Sequence, residues 1–318
     1  MNSISTSNQY QSVLLNILNA QNNQNTAQQQ YSTGKIGNDL EAFAGQADQI
    51  TATQSLTAQT NTYVQNNTAL ADRLTVQDQS LSQVATITGN ARQAVAEAVA
   101  TGDATSLSTS LQSQLSQATA ALNTQYNGQY LFAGGETSTA PAATGTTLSD
   151  LTASGGVAAA FQNGNSPQQD RLDADTRVTT GFTASGVATG LYTALSQVAS
   201  YLQTQQAANG GQPITTLTAA QSAALTGMLS SFDSASTAIN NQVAQNGLVQ
   251  DQVSSTQTSL QARQTALTNT LGDLTNVDQA KAATNLQLAQ TALQASAQVF
   301  ASLNNTSLLS VLGTTTSG

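Results

Sequence analysis

Helix-breaking residues are spread unevenly along this 318-residue chain, and that distribution restricts its folds more than any other feature. The three prolines are Pro141, Pro167 and Pro213, and ten of the 22 glycines lie between Gly128 and Gly190. Proline removes a backbone donor and clashes with the preceding helical turn, and glycine loses the most backbone freedom on ordering. The segments before about 140 and after about 213 are therefore free to form long helices, while the centre is not. The chain reads helical, irregular, helical.

Apolar periodicity agrees with this partition. In the first arm Leu70, Leu74, Gln77, Leu81, Val84, Thr88, Ala91, Val95 and Ala98 alternate spacings of four and three, a heptad seam. A helix from about 46 to 100 would be roughly 80 Å long at its rise of ~1.5 Å per residue. Gly102 is expected to stop it and Asp103 to cap a second, antiparallel helix carrying Leu107, Leu111, Leu115, Ala118 and Leu122. In the second arm the seam runs through Ile239, Val243, Asn246, Gln250, Val253, Gln257, Leu260, Gln264, Leu267, Leu271 and Leu274. Amides at seam positions are costly in a two-helix coiled coil and tolerated where several helices let them hydrogen-bond, which favours a bundle.

The two ends are unusual because residues 1–34 and 282–318 contain no Asp, Glu, Lys or Arg. Each still carries a narrow apolar stripe. The first has Tyr10, Val13, Leu14, Ile17 and Leu18; the last has Leu286, Ala289, Leu293, Ser296, Phe300 and Leu303, then Leu308, Leu309 and Leu312. Short helices so sparsely apolar are marginal alone in water and are expected to order against each other or against other chains. Surfaces that face water normally carry Lys and Glu, so uncharged ends point to a subunit of an assembly. In the centre, Arg171–Asp175 and Arg177–Val178 alternate around a short turn and read as a β-hairpin within a small insertion that leans on the helices.

The expected fold is mainly α: long antiparallel helical rods, as a coiled coil or bundle, built from both termini, with a small β-containing central insertion. The expected domains are residues 1–35 with 283–318, residues 36–140 with 191–282, and the insertion 141–190. Composition excludes much chemistry. With no His, Cys or Trp, thiolate nucleophiles, Ser-His-Asp relays and His-based or Cys-based metal sites are absent. Seven basic against 16 acidic residues give a net charge of −9, which leaves no footprint for nucleic acid. No stretch of 18 apolar residues spans a membrane, and Met1–Tyr10 lacks the basic leader and apolar core of a Sec signal. Asp170, Asp173 and Asp175 cluster, but without a general-acid partner, a sugar platform or calcium-loop spacing they read as solvent-facing charges. Gly134–Gly135 lacks the Lys-Ser/Thr of a phosphate loop and reads as a turn. No catalytic, cofactor or metal site is expected, and the chain is not expected to be an enzyme.

Three motifs carry a resemblance. Asn127-Gly-Gln-Tyr-Leu-Phe-Ala-Gly134 resembles the run closing the N-terminal domain of the flagellin superfamily. Ser32-Thr-Gly-Lys-Ile36 resembles that family's turn, and Asn276-Val-Asp-Gln-Ala-Lys-Ala-Ala-Thr284 its C-terminal Asp-Ala run. Ala292–Ala301 followed by Ser307–Leu312 is more similar to the hook-filament junction branch of the superfamily, hook-associated protein three, than to filament flagellin. The sequence after Lys35 departs from the family turn, reading Ile-Gly-Asn-Asp-Leu-Glu.

The resemblance implies a structural subunit of the bacterial flagellum joining the hook-associated junction to the filament, with a flagellin of the filament itself, or a surface adhesin using the insertion, as alternatives. It implies export without a Sec signal through the flagellar type III apparatus and an extracellular place in the flagellum. Implied partners are flagellin, a neighbouring hook-associated protein, an export chaperone gripping Leu293, Phe300 and Leu303, and further copies of the chain in a ring or filament layer. The residues expected at assembly interfaces are Val13, Leu14, Ile17, Leu18, Leu286, Leu293, Phe300, Leu303, Leu308, Leu309 and Leu312.

Overall fold

A computed structural model describes residues 2–43 and 45–313, with side chains over 8–43 and 45–303. The first arm comprises α1 (Asn2–Thr33), a 3₁₀ turn (Leu40–Phe43), α2 (Ala47–Thr101) and α3 (Leu107–Leu122). The centre holds an antiparallel hairpin of β1 (Gln125–Tyr126) and β2 (Gln129–Tyr130), short helices α4 (Leu148–Thr152) and α5 (Gly156–Ala159), and a second hairpin of β3 (Gln169–Arg171) and β4 (Arg177–Thr179). Then come α6 (Ala184–Ala208), α7 (Ala219–Thr275) and α8 (Gln279–Gly313). The protein is mainly α with a small β part, as the breaker distribution predicts.

Two details differ from the sequence reading. Asp103 does not cap α3: Ser106 occupies the N-cap position, without a side-chain bond. The Asp103 Oδ1 instead accepts the Thr105 N–H at 2.8 Å. The link after α2 is held sideways, Ala104 N–H to Thr215 O at 2.9 Å and Leu217 N–H to Gly102 O at 2.8 Å, so Asp103 serves that turn. The centre is also less irregular than its glycines suggest, because α6 starts at Ala184. Thr183 caps it by accepting the Gly186 N–H, and Val187, Leu191, Leu195 and Val198 give it a fully buried stripe. Gly190 is there for packing: a Cβ on it would lie 3.2 Å from the Cβ of Ala235 in α7.

The chain divides into two compact units, residues 1–59 with 263–318, and residues 60–262. In the second unit every position of the first-arm seam, Leu70 to Ala98, is buried. The α2 and α7 segments run antiparallel there, with Thr68 bonded to Gln257, Gln77 to Asn246 and Arg92 to Asp233. Leu81, Val84 and Val95 of α2 share one core with Leu111 and Leu115 of α3, Leu191 and Leu195 of α6, and Phe232 and Ile239 of α7. Gln77 and Asn246 satisfy each other inside it. The Gln77 Nε2 donates to Asn246 Oδ1 and to Thr180 O, both at 2.9 Å, and the Asn246 Nδ2 donates to Leu74 O at 3.1 Å. The amide interruptions are thus the hydrogen-bonded kind that a bundle permits.

The β3–β4 hairpin rests on the helices as expected. Leu172 in its turn is fully buried with Leu70, Leu74 and Val253, and Asn67 donates to Leu172 O at 2.9 Å. The motif 127–134 makes the other hairpin. Asn127 (φ 50°) and Gly128 (φ 77°) form its turn, Phe132 is fully buried, and Ala184 N–H donates to Phe132 O at 2.8 Å. Gly134 (φ 62°) is a structural turn: a Cβ on it would meet Gly164 O at 2.8 Å.

Candidate assembly surface

The first unit is built around α1, which has no Asp, Glu, Lys or Arg, and α8, whose one charged residue is Lys281 in its first turn. With no Gly or Pro from Asn2 to Thr33, α1 runs unbroken and stops at Gly34, whose φ of 70° is the left-handed conformation that ends helices. The Gln30 side chain reaches round this turn to donate to Ile36 O at 2.9 Å. At the other end, Asp278 Oδ1 accepts the N–H groups of Ala280 at 2.9 Å and Lys281 at 3.1 Å, capping α8. The two turns are tied together: Ile36 N–H donates to Thr275 O and Val277 N–H to Gly34 O, both at 2.9 Å. The motifs at 32–36 and 276–284 therefore form one junction, which sets α1 and α8 antiparallel in register.

Along the pair the buried positions are small: Ala20, Ala27, Ala282 and Ala289. Near the far end the Tyr10 hydroxyl donates to Leu303 O at 3.2 Å, and its ring stands edge-on to Phe300 with centroids 6.1 Å apart. An alanine seam brings two helices close but leaves bulkier side chains at its margins.

The sequence-predicted residues fall on both sides of that margin. Val13 and Ile17 on α1, and Leu286, Leu293, Phe300 and Leu303 on α8, are half-buried. Leu14 is 50% exposed and Leu18 47%. Phe300 and Leu303 are brought to Tyr10. Leu308, Leu309 and Leu312 lie on α8, but their side chains fall outside the described residues. Three residues outside the predicted set are more exposed still: Leu15 at 61%, Leu288 at 63% and Val299 at 51%. The signal for Leu15 was its place beside Leu14, one step off the stripe. Among the described residues, nine large apolar side chains are exposed, and all but Leu248 belong to the first unit. With no Asp, Glu, Lys or Arg from Asn2 to Gly34 or from Ala282 to Gly313, this apolar and amide-rich surface carries no charge over those stretches.

The acidic cluster does not converge. Asp170 pairs with Arg73 and with the Thr180 hydroxyl. Asp173 serves its own loop, accepting N–H groups of Asp175 at 2.9 Å and Thr176 at 2.7 Å. Burial pushes the Asp173 carboxyl up, but those amides, the Thr176 hydroxyl and the Arg171 charge outweigh it and hold the group below the usual range. Among the described residues no three carboxylates gather as a metal site, and no helix is long and apolar enough to cross a membrane.

Comparison with known proteins agrees with the helical ends. The model of the bacterial flagellin N-terminal helical region matches residues 4–137, and that of the C-terminal helical region matches residues 229–312. No curated protein matches the chain. Among solved structures, a putative flagellar hook-associated protein from Vibrio parahaemolyticus is similar at 16% identity, covering 71% of this chain and 96% of that one with a TM-score of 0.56. FlgL from Bacillus cereus is similar at 16% identity, over 66% of this chain and 98% of that one, with a TM-score of 0.47. Both flagellin helical regions are present, at opposite ends of the sequence, and their turn motifs are hydrogen-bonded to each other; the chain belongs to the bacterial flagellin family, whose members are structural subunits of the flagellum.

Proposed function

We propose that this flagellin-family chain is the adaptor that joins the hook-associated junction to the filament, acting through packing and not through catalysis. The observation that carries the assembly role is the α1–α8 pair, free of charged side chains from Asn2 to Gly34 and from Ala282 to Gly313, whose seam is filled by alanine while Leu14, Leu15, Leu18 and Leu288 stand in solvent. A soluble domain of this size rarely leaves such a patch uncovered. Further subunits are the natural cover, and Val13, Leu14, Ile17, Leu18, Leu286, Leu293, Phe300 and Leu303, with Leu308, Leu309 and Leu312 beyond them, are the contact residues we assign. The junction position is favoured by the Ala292–Ala301 run followed by Ser307–Leu312, and by the fold shared with the putative hook-associated protein of Vibrio.

In this reading residues 1–35 with 283–318 form the inner segment, residues 36–140 with 191–282 the helical segment, and residues 141–190 the outer insertion. The chain leaves the cell through the flagellar export apparatus, with a chaperone covering Leu293, Phe300 and Leu303 beforehand. Its partners outside are flagellin, a neighbouring hook-associated protein and copies of itself. The test is deletion in the cell combined with assembly in vitro. Cells lacking the chain should carry bare hooks while secreting flagellin, and the purified chain should stay unpolymerised without flagellin seeds. Long filaments formed from the chain alone would instead identify a flagellin.

A further inference from the structure

A cleft of about 370 Å³ opens in the second unit between α2, the β1–β2 hairpin and strand β3. That volume lies in the range of small-ligand sites, ~300–1,000 Å³. Its lining is unlike the rest of the molecule. The chain has only seven basic residues and a net charge of −9, yet two of the seven, Arg73 and Arg171, face this one cleft against a single carboxylate, Asp170. A third, Arg177, sits directly opposite Arg171 in the β3–β4 register. Like charges directly opposite in an antiparallel pair are unfavourable. No carboxylate lies within ion-pair distance of Arg171 or Arg177 among the described residues; Arg171 donates to the backbone oxygens of Asp173 and Ala174. Asp173 in the adjoining turn feels the Arg171 charge but does not line the cleft, so the lining itself keeps one net positive charge.

The remaining lining narrows the ligand class. Tyr126 and Tyr130 present half-buried rings that join an apolar face to a hydroxyl. The amides of Asn66 and Gln168 line the same cleft and have no side-chain partner among the described residues. Arg73 is fixed in advance, donating to Asp170 and to the Thr180 hydroxyl, so little ordering is left for binding. Ring faces, dispersed amides and guanidinium groups complement a molecule with C–H faces, several hydroxyls and a carboxylate. We propose that this cleft binds an acidic sugar, a carboxylate-bearing pyranose either free or at the end of a glycan. An acidic peptide is the other anion of matching charge, but the remaining apolar lining is Ala69 and the buried Leu70 and Leu131, which offer its side chains little to grip.

The proposal is independent of the junction assignment. Its test is titration of the full chain with galacturonate, galactose, acetate and a tetraglutamate peptide, followed by amide and tyrosine NMR shifts. Galacturonate should bind at millimolar concentration, about tenfold more tightly than galactose or acetate, and move the resonances of Tyr126 and Tyr130. Arg171→Gln and Tyr130→Ala, each with an unchanged circular dichroism spectrum, should weaken it about tenfold. A galacturonate-capped oligosaccharide binding more tightly than the free sugar would assign the site to glycans, and equal binding to free sugar. Failure of galacturonate to bind at roughly 50 mM, equal binding of acetate, preference for the peptide, or affinity unchanged in both variants would overturn it.

Discussion

Tyr192 is the residue whose burial has the clearest measurable consequence. It is 1% exposed, stacks on Phe161 with centroids 4.9 Å apart, and shares a 2.8 Å hydrogen bond with Thr119. Burial disfavours the phenolate and pushes its pKa up to about 12, against a smaller opposing effect of the Thr119 hydrogen bond. An unfolded tyrosine ionises near 10. Below that pH both states are protonated and the native contribution is whole; between about 10 and 12 only the unfolded state loses its proton, so stability falls by up to about 1.4 kcal/mol per pH unit. Chemical denaturation between these limits should show that slope, and Tyr192→Phe should flatten it. A slope unchanged in the variant would mean that Tyr192 is not the group responsible. Asp150 behaves in the opposite direction. Its capping contacts with Thr147 lower its pKa, so its contribution is present above the usual carboxylate range and is lost as pH falls through the lowered value. The amide pair is the second residue-scale case. Asn246→Leu removes one donor to the Leu74 carbonyl, which Gln250 Nε2 still reaches at 3.3 Å, and deprives Gln77 of one of its two acceptors, and should cost about 1–3 kcal/mol in denaturant melts. Zero coupling in a Gln77→Leu, Asn246→Leu double-mutant cycle would show that the pair is not an energetic unit.

At the scale of elements, the α1–α8 pairing hangs on the turn at Gly34. A side chain there would be forced into the left-handed region and would place its Cβ 2.9 Å from Gln279 Nε2. Gly34→Val should cost about 1–2 kcal/mol locally and speed amide exchange at Ile36 and Val277, whose N–H groups bridge the two turns. Protection unchanged at those amides would mean the helices hold their register without the turn. The helices themselves were legible because their signal is periodic: an uninterrupted four-three spacing from Leu70 to Ala98 picks out nine positions of α2, all of them buried. The start of α6 was not, because Gly186 and Gly190 look like breakers until Ala235 is seen pressing on Gly190. The candidate surface was half legible for a related reason. Spacing picks out Val13 and Ile17, but in a helix without charges alanine and leucine score alike as apolar. Close approach of a second helix decides which faces inward, and it selects Ala20 and Ala27 while leaving Leu14, Leu15 and Leu18 outside.

For the whole molecule, the distribution of charge makes the assembly reading quantitative. All 23 Asp, Glu, Lys and Arg side chains lie between Lys35 and Lys281, so contacts made by α1 and by α8 beyond its first turn contain no ion pairs to screen. Association that buries Leu14, Leu15, Leu18 and Leu288 is driven by apolar area, at roughly 25 cal/mol per Å², which ordinary salt leaves nearly untouched. Seeded assembly followed by sedimentation should therefore change less than about threefold in affinity between roughly 0.05 and 0.5 M sodium chloride, while sulfate at the same ionic strength strengthens it. Leu14→Ser with Leu18→Ser should abolish seeded assembly while costing the isolated chain under about 1 kcal/mol, because both side chains are already half in water. The two measurements discriminate as a pair. Steep loss of assembly with sodium chloride would place the contacts on the charged segments between Lys35 and Lys281. A double variant that assembles normally would remove α1 from the interface altogether, whatever the salt dependence. Insensitivity to sodium chloride together with loss in the variant is the outcome that two helices without charge beyond Lys281, paired by alanine and edged by leucine, require.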